Sequence, residues 1–130
     1  MEVFNDISLI GNILIVLFTI LILFHICVLI GIIPHNIVWA GKVKSKSELI
    51  KLESISIIIL LISIFILSMK LEYFNVGLSS TIINIGIWLL FAMYVLNTIG
   101  NLFAKSPIEK YGFGLLTFII SSLLLLIAIG

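Results

Sequence analysis

Few side chains in this sequence can do chemistry, and most of them fall in two stretches. In "SELIKLESISI" Glu53 and Ser56 stand three apart, and in "NTIGNLFAKSPIEK" Asn97 and Asn101 stand four apart, spacings that put each pair on one face of a helix. Tyr94, three residues before Asn97, joins the second face, and His25 lies inside the apolar run "ILFHICVL". Carboxylate, imidazole, amide, hydroxyl and phenol groups are the donors and acceptors from which a polar ligand site is made. Glu53, Asn97 and Asn101 are the expected members of such a cluster, with His25, Ser56 and Tyr94 beside them. Each also has an ordinary reading: Glu53 could reach water or a lysine, the asparagines could join helices, and His25 could donate to a carbonyl.

Catalytic chemistry is harder to build from this inventory. The single cysteine, Cys27, permits neither an intramolecular disulfide nor a cysteine-based zinc cluster. His25 and His35 come from one segment, so they cannot face each other across a bundle to clamp a haem iron. No glycine-rich phosphate fingerprint occurs, and two carboxylates close enough to share a proton are not expected inside any apolar run. No catalytic residue, metal or cofactor is therefore assigned. An enzyme acting on lipid, with Glu53, Glu109, His25 or His35 as acid or base, is kept only as a third reading.

Composition decides which elements hold these groups. The chain is 62% hydrophobic and 10% charged, with a mean hydropathy of +1.41. Soluble domains are about one-quarter charged, so lipid rather than water is the solvent. A net charge of +1 and the absence of arginine exclude nucleic acid as a partner. Four apolar runs, at about 7–33, 48–70, 76–103 and 108–129, approach or exceed the roughly 20 residues that cross a bilayer as a helix. Their isoleucines and valines would favour strands in water, but in hydrocarbon every backbone group must be paired internally, and a helix does that alone. The expected fold is a single all-α domain over 1–130, an antiparallel four-helix transmembrane bundle. Glu53, Ser56, Leu60, Ser63 and Leu67 form a packing seam on the second helix, and Gly114, Thr117, Ser121 and Ala128 a small-residue face on the fourth.

Lysines set the orientation. Lys42, Lys44, Lys46 and Lys51 follow the first run, Lys105 and Lys110 follow the third, and Lys70 alone stands at the opposite border. This asymmetry places the lysine-rich loops in the cytoplasm and both termini outside the cell (inner) membrane. Trp39, Lys42, Lys105 and Lys110 are then the interface residues, with "HNIVWAG" lying in the headgroup layer and Tyr73 and Phe74 anchoring the other border. Pro34 is expected to end or kink the first helix. Two capping boxes, Ser45 with Glu48 and Ser106 with Glu109, start the second and fourth helices, the latter with Pro107 at its first position.

"PHNIVWAGKVKSKSELIKLESISI" and "NTIGNLFAKSPIEKYGFGLLTFI" resemble the two signature stretches of a family of small four-span bacterial integral membrane proteins. The pattern is a Trp-x-Gly-basic loop leading into Glu-Ser-x-Ser, and Asn-Thr-x-Gly-Asn leading into x-Lys-x-x-x-Glu-Lys. The resemblance implies a topology and no activity. It makes Trp39, Gly41, Glu53, Ser54, Asn97, Gly100, Asn101, Lys105, Glu109 and Lys110 signature positions. Ala40 stands where the pattern has a second glycine, and Lys42 where arginine is commoner, which would weaken any ligand needing a bidentate guanidinium.

The expected function is non-enzymatic: binding of a membrane lipid, a small amphiphile or a partner membrane protein at the inner-leaflet end. The alternative is a small transporter or channel subunit working as a homo-oligomer. Such a path would need polar residues in the outer half, where Ser80, Thr81 and Asn84 occupy a different helix face from Asn97. In a Cys27→Ser background, Lys44→Cys in intact cells is expected to resist a membrane-impermeant maleimide until the membrane is opened. Labelling from outside would reverse the assigned orientation.

Overall fold

The computed structural model describes residues 2–34 and 44–130, with side chains from Asp6 onward. His35, Trp39 and Lys42, and with them the expected interfacial segment, lie outside the described residues. Four helices are formed: α1 over Glu2–Leu29, α2 over Lys46–Lys70, α3 over Ser80–Leu102 and α4 over Gly114–Ile129. A π-helical turn, Ile108–Phe113, leads directly into α4, and there is no strand among the described residues.

All four spans are long and apolar enough to cross a membrane, the last counted from Ile108 to Ile129. At most 28% of any span's apolar window is buried inside the chain. Leu23, Leu61 and Leu89 point outward, each more than half exposed. An apolar coat of this extent has no stable contact with water, and the architecture is that of a multi-pass membrane protein.

The closest neighbours are α1 with α2 and α3 with α4, two antiparallel hairpins, and contacts of α2 with α3 and α1 with α4 close the ring. Their shared core contains Leu14 and Phe18 from α1, Leu60 and Leu67 from α2, Ile87, Leu90 and Tyr94 from α3, and Ile120, Leu124 and Ile127 from α4. The α2 seam is formed: Glu53, Leu60, Ser63 and Leu67 are buried and Ser56 is half-buried. On α4, Gly114 and Ser121 are buried while Thr117 and Ala128 are half-buried. Close approach also occurs on α1, where a Cβ added to Gly11 would stand 2.7 Å from Leu71 Cδ1.

Helix ends differ from the sequence expectations in instructive ways. α1 stops at Leu29 because Gly31 adopts φ 87° and the N–H groups of Gly31 and Ile32 turn back to the carbonyls of Val28 and Cys27, at 3.2 and 3.0 Å. This is the Schellman arrangement, so Gly31 rather than Pro34 sets the boundary. α2 ends in the same way, with Glu72 in the left-handed position at φ 64°. At its start Glu48 N–H donates to Ser45 Oγ at 3.1 Å, and the Glu48 carboxylate accepts from Lys44 N–H at 3.4 Å rather than from the cap itself. Ser79 caps α3 through Ile82 N–H at 3.3 Å, which is why that helix begins at Ser80 and not near Val76.

The fourth start is the clearest departure. Lys110 N–H donates to the Ser106 carbonyl at 2.9 Å, but no side-chain hydrogen bond caps this end. Gly114 N–H bonds to the Glu109 carbonyl, five residues back, and the wider turn carries Glu109 inward until it is 3% exposed. The expected capping box of Ser106 and Glu109 is therefore not made. Gly11→Val is expected to lower stability to unfolding in detergent by about 1–3 kcal/mol through overpacking against Leu71. Gly100→Ala, whose Cβ meets nothing within 4 Å, should instead leave it unchanged or raise it.

Candidate polar site at the lysine-rich end

α1 ends and α2 begins at the same end of the bundle, and each contributes one ionisable side chain to their contact. Nδ1 of His25 meets Oε2 of Glu53 across the two helices. The seam period of α2 turns Glu53 fully inward, so it has no exposure, while the His25 side chain keeps 17%. Unprotonated Nδ1 and an ionised carboxylate are both acceptors, so the contact requires a proton between them. In so dry a place the bond is stronger than in water, and loss of the partner is correspondingly more damaging.

Apolar residues seal the pair. The edge of the Phe24 ring meets His25 and Phe113 at centroid distances of 5.4 and 5.3 Å. Val28 and Leu49 form a second buried cluster with Phe24, Ile33, Leu52 and Phe113 around them. Phe113 belongs to the π turn, the element that buries Glu109. Two carboxyl groups are thus buried at this end, where the sequence suggested a capping role for Glu109 and left Glu53 between water and burial.

Across the bundle a separate network joins α3 to α4. Thr98 Oγ1 donates to the Tyr94 carbonyl at 2.8 Å and lies 3.0 Å from Thr117 Oγ1, which in turn reaches the Phe113 carbonyl at 2.8 Å. Asn101 Nδ2 approaches Thr117 Oγ1 at 3.4 Å, a long contact. Tyr94 sits deeper, 4% exposed, with its ring stacked on Phe18 at 5.4 Å and its hydroxyl partnered by Ser63. Ser56 bonds back to the Leu52 carbonyl of its own helix at 3.1 Å.

The expected six-residue cluster therefore resolves into parts. His25 and Glu53 are brought together, Asn101 belongs to the α3–α4 network, and Tyr94 and Ser56 serve packing. Asn97 stands apart from these contacts: it is exposed, and Thr98 takes the inward position. The buried register of α3 runs Ile87, Leu90, Tyr94, Thr98, which carries Asn101 along its edge and leaves Asn97 outside. Thr98 is legible from that register, four residues after Tyr94, whereas nothing in "SPIEKYGFG" announces a π turn.

Lys105 and Lys110 stand exposed at this end, Lys110 Nζ lying 5.6 Å from the Tyr111 ring centroid. On the outer side of α3 and α4, Phe91, Val95, Thr98, Phe118, Ser121 and Ser122 line a groove of about 270 Å³. Among the described residues no group of three or more histidine, cysteine or carboxylate side chains converges as a metal site would require. Comparison of the chain with protein-family models, curated proteins and solved structures gives no match.

His25→Ala is expected to destabilise the bundle by about 1–3 kcal/mol, the cost of removing a partner from a buried acceptor. Asn97→Ala should change it by no more than about 0.5 kcal/mol, as for other exposed positions. Thermal unfolding of both variants in one detergent tests the division; equal effects would contradict it.

Proposed function

We propose that this chain is a membrane-embedded binding protein for an anionic lipid-like amphiphile, held at the lysine-rich end of the bundle. The observation that carries the reading is the groove between α3 and α4. It is concave and largely apolar, with only the hydroxyls of Thr98, Ser121 and Ser122 in its wall. Such a surface suits an acyl chain. Phe118 in its wall and Leu96, next to Val95 in the chain, are 58% and 68% exposed, as expected of side chains that meet hydrocarbon. Lys105 and Lys110, exposed on the loop and the π turn that follow α3, would supply the positive charge for an anionic headgroup. In this reading the His25–Glu53 contact closes α1 on α2, and α3 and α4 present the ligand face. The lysine asymmetry supports placing that end in the cytoplasmic leaflet.

A transporter subunit is the second reading, and the buried His25–Glu53 contact favours it, because ionisable groups inside a span commonly lie on proton or ion routes. It ranks second because the core beyond the pair is formed mainly by Leu60, Leu67, Ile87, Leu90, Ile120, Leu124 and Ile127, with Tyr94 and Ser63 as its polar members and, among the described residues, no further ionisable side chain whose charge changes near neutral pH. A second copy would have to complete the route.

Trp88 gives the test, since its ring packs edge-on against Phe91 of the groove at 5.9 Å. With Trp39→Phe removing the other tryptophan, chain-brominated anionic lipid is expected to quench Trp88 more deeply than brominated zwitterionic lipid at equal mole fraction. Replacing Lys105 and Lys110 together by alanine should abolish the difference. Equal quenching by both lipids in the parent protein would sink the proposal, and proton uptake into liposomes that Glu53→Gln abolishes would favour the transporter.

A further inference from the structure

A second concavity lies at the opposite end, where α2 leaves its last turn and α3 begins. It measures about 460 Å³, and its wall holds two opposite charges, Lys70 and Glu72. They do not pair with each other. The Lys70 amino group donates instead to Asn84 Oδ1 at 2.7 Å, and Asn84 lines the same cavity. Because an ammonium can only donate, this contact fixes the amide with its oxygen toward Lys70 and its NH2 free to donate elsewhere. The chain leaves the helix between the two charges, with Glu72 at φ 64°.

The rim is tied down at several points. The Tyr73 hydroxyl donates to Asn12 on α1, Phe74 packs against Phe65 with centroids 5.1 Å apart, and Asn75 Oδ1 accepts from Gly77 N–H at 2.7 Å. The first turn of α3 carries no acidic residue, so its N-terminal N–H groups add positive potential to the wall that holds Lys70 and Asn84. Met69, Leu78 and Ile83 supply the apolar part of the wall.

We propose that this cavity takes the headgroup of a zwitterionic phospholipid, with its phosphate against Lys70 and Asn84 and its ammonium against Glu72. A lone anion would be repelled by Glu72 and a lone cation by Lys70. A headgroup carrying both charges a few bonds apart satisfies each wall at once. The apolar surround selects an amphiphile over a freely soluble zwitterion. A primary ammonium is preferred to a quaternary one, because it donates charge-assisted hydrogen bonds to the carboxylate and Phe74 is the one aromatic ring that the described residues bring to the wall. The site is independent of the one proposed at the lysine-rich end.

Native mass spectrometry of the full chain, titrated in detergent with phosphatidylethanolamine or phosphatidylglycerol, tests this. The wild-type chain is expected to retain phosphatidylethanolamine about tenfold more tightly, the factor that corresponds to one charge-assisted hydrogen bond. Glu72→Gln, on an exposed turn where folding is not at stake, should erase the preference, and Lys70→Gln should weaken both lipids. Equal retention by the wild-type chain, or a preference that survives Glu72→Gln, overturns the proposal. Displacement by soluble glycerophosphoethanolamine at equal concentration would overturn the assignment to a lipid. Trp88 stands one turn from Asn84, so the two sites are separated by their variants: replacing Lys105 and Lys110 by alanine should leave the Glu72-dependent preference unchanged, and either site can fail without the other.

Discussion

Inside hydrocarbon a polar group has no water to fall back on, and this requirement governs the molecule from its backbone to its rarest side chains. It makes helices of sequences rich in isoleucine and valine. It sends the hydroxyls of Ser56, Ser63, Thr98 and Thr117 back to carbonyls of their own helices. It also demands a partner for Glu53, the most deeply buried charged residue, and His25 answers from the neighbouring helix. Leucine on the outside and paired polar groups on the inside are two results of one solvent.

Partnering divides the bundle into two hairpins with different chemistry. α1 and α2 are joined by an imidazole–carboxyl contact sealed under Phe24, Val28 and Leu49. α3 and α4 are joined by hydroxyls and an amide, weaker and more adaptable links. The groove on α3 and α4 lies where small hydroxyl side chains leave room. The π turn couples the two, since Phe113 touches Phe24 of α1 through its ring while its carbonyl receives Thr117 of α4.

The two ends are unlike in charge as well. Lysines crowd one border, where the buried carboxyls also lie, and the other carries a lone Lys70 engaged with Asn84 beside Glu72, which forms no ion pair among the described residues. The proposed anion site at one border and the proposed zwitterion site at the other would suit two chemically different leaflets. That asymmetry connects the two proposed sites without making either depend on the other.

The sequence by itself determined the solvent, the number of spans and the seam of α2, because hydropathy and a three-then-four spacing are local properties that lipid enforces directly. It also determined the Ser45 cap, whose partner Glu48 is one turn away. Only the tertiary structure decided which polar residues meet. Asn97 and Thr98 are neighbours in the chain, yet the rotation of α3 against α4 sends one outward and the other inward. Glu109 carries every local mark of a capping residue, yet the π turn buries it. His25 and Glu53 stand 28 residues apart, and nothing short of the packing of α1 on α2 could bring them together. Helix rotation is set by the sum of contacts along two neighbours, and that sum is not written in any single stretch of residues.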